Sequence, residues 1–145
     1  DTATVSAVGV AAHETGHALQ YADNYAPARI RMAIVPVTNF ASTISTYLVV
    51  LGLIFSFYPL AYVGVGCFGF AVLFQLITLP VEFNASRRAL AELSACGRFT
   101  QEELDGVRRV LSAAAMTYVA ALFLSLMSFL RLLLIVAGNN RKGRR

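Results

Sequence analysis

Between Met32 and Val81 the chain carries no Asp, Glu, Lys or Arg. A second apolar run, Val110 to Asn140, holds one charge, Arg131. Uncharged apolar stretches longer than about 18 residues are long enough to cross a bilayer as helices. The whole sequence has 145 residues, with 57% hydrophobic and only 14% charged. Soluble domains carry roughly a quarter charged residues. These features predict an all-α membrane helical bundle forming a single membrane-embedded domain over residues 1–145, with spans at 41–58, 60–79 and 110–137.

The pattern around those spans sets the remaining elements. Ala3 to Ala22 is apolar nearly all round, broken only by His13, Glu14, His17 and Gln20. A helix without a polar face is expected to be buried in protein or lipid. It should stop near Asn24–Pro27. A short apolar stretch punctuated by Pro36 and Asn39 follows. Ala41–Tyr58 and Leu60–Leu79 then form a hairpin of apolar helices divided by Pro59. Pro80 suits the first turn of a new helix reaching Cys96, with Gly97 as its stop. Thr100-Gln101-Glu102-Glu103 has the form of a capping box opening a last long helix. Ala113, Thr117 and Ala121 form a small-residue ridge on it, suited to close helix packing. Arg131, near its end, reads as snorkelling to the interface.

Other features carry less chemistry. The formal net charge is +4, and much of it sits in the tail Arg141-Lys142-Gly143-Arg144-Arg145. That tail lacks the aromatics expected of a nucleic-acid site and reads as an anchor at lipid headgroups. Cys67 and Cys96 form no metal or redox motif and read as structural thiols. The chain opens at Asp1 with no initiator Met and no signal-peptide pattern, so it reads as a fragment lacking its N-terminal part.

His13-Glu14-Thr15-Gly16-His17 matches H-E-x-x-H. Positions four apart share one helix face, so both imidazoles can reach one metal ion. The Glu between them is turned about 100° away, towards the attacking water rather than the metal. These are the only two histidines in the sequence, and both fall within the motif. A lone carboxylate in an apolar helix is costly, and a metal site makes it tolerable. The residues therefore point to one zinc ion per chain, with Glu14 as general base. A hydrogen-bonded polar cluster without metal is the plainer alternative.

Catalytic zinc takes three protein ligands and leaves a fourth position open. With no third His, the remaining ligand should be a carboxylate from another helix. Glu82 is the best candidate, because the uncharged hairpin returns the chain to the side it left. Asp23 lies too close on the same helix end. Glu92, Glu102, Glu103 and Asp105 read as a solvated face beside arginines. Tyr21, Tyr25, Asn84, Arg87 and Arg88 are candidates for donating to a developing oxyanion.

Three stretches resemble the YugP-like neutral zinc metallopeptidases of bacteria (zinc peptidase family 2): Ala11 to Gln20, Val35-Pro36-Val37, and above all Leu79-Pro80-Val81-Glu82-Phe83-Asn84-Ala85-Ser86-Arg87-Arg88-Ala89-Leu90. The segment Ala114 to Ala121 extends the resemblance over essentially the whole chain. More distantly, the Glu82 segment is similar to the E-x-x-A-D helix of HtpX-like membrane peptidases. That resemblance implies a piece of a larger gluzincin-like membrane peptidase, with Glu82 on the metal. Ser86 stands where the wider group has Asp, so Asn84 or Ser86 is left to orient a histidine by hydrogen bonding. It also implies peptide or membrane-protein substrates and a multi-pass place in the bacterial inner membrane.

The excess of Arg29, Arg31, Arg87, Arg88, Arg98, Arg108 and Arg109 on the motif side puts the active site in the cytoplasm. A non-catalytic membrane scaffold or assembly protein with a structural metal is the second reading, although such a site has no use for Glu14. A transporter or channel subunit is a third, disfavoured by the lack of repeated halves.

Overall fold

The computed structural model describes residues 2–143, with side chains from residue 4. Asp1 and the tail residues Arg144 and Arg145 lie outside the described residues. The fold is an all-α membrane helical bundle. Among the described residues it consists of α1 (Thr2–Ala22), α2 (Ala26–Ile54), α3 (Tyr58–Ala95) and α4 (Gln101–Gly143), with no strand. The helices α2, α3 and α4 are long and apolar enough to cross a membrane. Only 6% of the most apolar window of α4 is buried within the protein. Side chains such as Phe55, Leu124 and Leu134 are exposed. An apolar helix so little covered by protein needs hydrocarbon around it.

Local chemistry explains each helix end. At the end of α1, Tyr25 N–H donates to the Gln20 carbonyl at 2.8 Å and Asn24 N–H to the Tyr21 carbonyl at 3.1 Å. This is a Schellman arrangement with Asn24 in the left-handed conformation, φ 53°, a role Asn fills when Gly is absent. The end of α2 uses Ser56 at φ 52° in the same way, and the end of α3 uses Gly97 at φ 64°. Thr100 and Glu103 cap α4 reciprocally, with Thr100 N–H to Glu103 at 2.8 Å and Glu103 N–H to Thr100 Oγ1 at 3.3 Å.

Two expected breaks do not occur. Pro36 lies inside α2, so the stretch after Arg31 is helix, not a punctuated connection. Pro80 lies inside α3 and opens no new helix. Breaking the helix would expose several backbone groups in an apolar region, and each costs several kcal/mol. Keeping the proline costs about 3 kcal/mol, so the helix persists. The apolar windows are therefore parts of longer helices: 41–58 falls mostly within α2, and 60–79 within α3.

The helices form two compact units. The first comprises residues 1–31 and 77–120, the second residues 32–76 and 121–145. The first unit is built on Ala12 from α1, Ala89 from α3, and Val107 and Leu111 from α4, with Val5, Val8, Leu90 and Leu93 packed around them. The second unit is built on Val49, Ala61, Val65 and Val136. Its helices approach closely at Gly52, where an added Cβ would come 2.5 Å from the Ala61 nitrogen.

In the first unit the decisive approach is at Gly16. A Cβ there would lie 2.1 Å from the Ala85 carbonyl oxygen. Backbone blocks the space, and it cannot swing aside as a side chain can. Gly16→Ala gains about 1 kcal/mol of helix propensity, but forcing α1 from α3 costs about 1–3 kcal/mol or more. The variant is expected to unfold at lower temperature than wild type in detergent. A midpoint at or above wild type would show that the contact is soft.

Candidate metal centre

The site lies within the first unit and draws on α1, α3 and the start of α2. His13 and His17 sit one turn apart on α1. Their rings meet edge to face, with centroids 4.7 Å apart and planes at 84°. The tight Gly16–Ala85 packing brings this face of α1 against Glu82 on α3. His13 Nε2 lies 3.1 Å from Glu82 Oε2, His17 Nε2 lies 3.5 Å from it, and the two Nε2 atoms are 3.2 Å apart.

These three atoms could hold a metal ion. A tetrahedral ion with bonds of about 2.0–2.1 Å needs ligand atoms about 3.3–3.4 Å apart. The observed spacings bracket that value. Two imidazole nitrogens and a carboxylate oxygen also suit a borderline cation such as zinc.

Glu82 is 2% exposed, and a buried carboxylate must find compensation. Arg31 Nη1 lies 2.7 Å from Glu82 Oε1, a close ion contact without hydrogen-bond alignment. The carboxylate therefore has its two oxygens divided, Oε1 towards the guanidinium and Oε2 towards the imidazoles.

Each imidazole is also held from behind. His13 Nδ1 lies 3.1 Å from Ser86 Oγ. His17 Nδ1 lies 3.0 Å from Oε1 of Gln20, a fully buried residue. Asn84 has no described hydrogen bond to either ring; its Oδ1 accepts from Gln20 at 3.0 Å and from Arg88 Nε at 2.9 Å. Arg88 in turn pairs with Asp23 and lies 5.6 Å from the centre of the Tyr25 ring. Tyr21 and Arg87 are exposed and make no described contact with the cluster.

Glu14 is exposed on the same turn of α1. Tyr118 on α4 lies within electrostatic range of both Glu82 and Glu14. Sequence reasoning did not single out Tyr118, Arg31 or Gln20 for the site. Gln20 carried a usable signal, being three residues after His17 and so on the same helix face. Arg31 and Glu82 are the charges that bracket the uncharged run Met32–Val81. Tyr118 offered no comparable signal.

An all-α membrane bundle with a His–His–carboxylate cluster, and an acid beside the first histidine, defines the class of protein. Residues 1–137 match the model of the family described as "Putative neutral zinc metallopeptidase", and the chain belongs to that family. It is 47% identical over 132 residues to the "Putative membrane protease YugP" of Bacillus subtilis (strain 168). That match covers 91% of this chain and 59% of the relative, so the chain spans about three-fifths of that relative's length. No solved structure matches the chain.

The electrostatics carry a pH prediction. The Glu82 carboxylate beside it holds the His17 imidazole above its ordinary range, against partial burial, which acts the other way. A cation must displace that proton. Zinc affinity should therefore fall as pH drops, starting above the ordinary imidazole pKa of about 6.5. In the metal-free protein the sign reverses. The raised pKa stabilises the fold fully below the unfolded value, and that contribution is lost as pH rises through the folded one. Competition titration against a chromophoric chelator tests the first trend. An affinity that stays flat through this range contradicts it.

Proposed function

We propose that this chain carries the catalytic centre of a membrane-associated, zinc-dependent endopeptidase. Its ligands are His13, His17 and Glu82, with one zinc per chain, and its general base is Glu14. The observation that carries this reading is the convergence of two Nε2 atoms and one carboxylate oxygen at 3.1–3.5 Å. Membership of a zinc metallopeptidase family supports it. The substrate class is a peptide or a membrane-protein segment at the bilayer. The excess of arginines on the motif side favours a cytoplasmic active site in a bacterial inner membrane.

Zinc held by His13, His17 and Glu82 would supply Lewis acidity to a scissile carbonyl and to water. The residues of the chain do the rest. Glu14, exposed and one position from His13, takes a proton from water and returns it to the leaving amine. Arg31 balances the buried charge of Glu82 and lies against Oε1, leaving Oε2 for the metal.

Glu14→Gln should keep about one zinc per chain and lose at least about 100-fold in hydrolysis of an unfolded protein substrate. Glu82→Ala should lose zinc and activity together. Wild-type cleavage by Glu14→Gln would remove the proposed mechanism.

A further inference from the structure

We infer that Gln20 is a positioning residue that fixes the proton of His17 on Nδ1, while His13 keeps an adjustable tautomer. Some groups in this network have no choice of role. A backbone carbonyl only accepts, and an Arg Nε–H only donates. Arg88 Nε lies 2.9 Å from the Asn84 side-chain atom, so that atom is the amide oxygen. Gln20 Nε2 lies 3.0 Å from this oxygen and 2.8 Å from the Val81 carbonyl. Two acceptors require the Gln20 NH2, and both of its protons are engaged.

The Gln20 oxygen is thereby turned to His17 Nδ1, at 3.0 Å. An amide oxygen cannot donate, so Nδ1 carries the hydrogen. In the neutral ring this leaves Nε2 with a free lone pair, directed at His13 Nε2 and Glu82 Oε2. Gln20 is fully buried, so water does not compete for these bonds. The chain of constraint runs from Asp23 through Arg88, Asn84 and Gln20 to His17.

His13 is held differently. Its Nδ1 faces the Ser86 hydroxyl at 3.1 Å, and a hydroxyl can donate or accept. With the His13 proton on Nε2, Ser86 donates to Nδ1 and the Nε2–H faces Glu82. With the proton on Nδ1, Ser86 accepts and Nε2 is free. One ligand is therefore set in advance, and the other rearranges by rotation of a single hydroxyl.

The His17 tautomer follows from the hydrogen bonds alone; its consequence for zinc rests on the function proposed above. With only two histidines in the sequence, selective 15N labelling gives two ring spin systems, assigned with His13→Gln. Long-range 1H–15N spectra of the metal-free chain in micelles at alkaline pH should show His17 protonated on Nδ1. Gln20→Met, of similar size but without an acceptor, should give mixed His17 tautomers and a loss of about 10–100-fold in zinc affinity. Ser86→Ala should leave the His17 tautomer unchanged.

A wild-type His17 protonated on Nε2 overturns the inference, as does Gln20→Met with unaltered tautomer and affinity. Should Gln20→Met fail to fold, the wild-type spectrum still decides. If wild type binds no zinc, the proposed function fails, while the tautomer measurement still judges the role of Gln20.

Discussion

The arrangement of the first unit depends on one buried carboxylate. Glu82 is almost inaccessible, and an isolated ion in such a place would be prohibitively desolvated. It is tolerable because Arg31 approaches one oxygen and two imidazoles approach the other. None of those partners works at a distance, so α1 must lie against α3 closely enough for backbone contact. Gly16 provides that approach, and fully buried Ala85 provides the opposing surface. A residue that looks like filler between two histidines is thus what lets their side chains reach the acid.

Charge is absent from Met32 to Val81, which confines charged side chains to the two ends of that run. The last charge before it, Arg31, meets the first charge after it, Glu82. A hairpin that stays helical through Pro36 delivers this pairing with no charged residue between. The helices α2, α3 and α4 supply the lipid-compatible surface, and the described metal-ligand candidates all come from residues 13–82 of the first unit.

The legible part of the molecule is the part governed by local rules. Two histidines at a spacing of four, the capping box at Thr100 and Glu103, and the stop at Gly97 each follow from a few neighbouring residues. The prolines misled because their local rule assumes water is available to satisfy a broken helix. In apolar surroundings an interrupted backbone costs more than the strain, so Pro36 and Pro80 remain inside α2 and α3. Glu82 was reachable by elimination, since few carboxylates lie near enough to the right end of a hairpin. Tyr118 was not, because its approach to Glu82 depends on how α4 packs, and no spacing in α4 encodes that.

The polar network also shows why a family-level motif describes the centre only in part. H-E-x-x-H specifies where two rings lie, yet a ring presents either nitrogen as donor or acceptor. That choice is made by atoms outside the motif: the Val81 carbonyl, the Asn84 amide and the Arg88 guanidinium, acting through Gln20. Three of these belong to one turn of α3 or the next, the same stretch that carries Glu82 and Ser86. The residues after Pro80 therefore do two jobs, contributing an acid and setting the imidazoles that face it. A substitution in that stretch that leaves Glu82 untouched can still change which lone pairs point into the site.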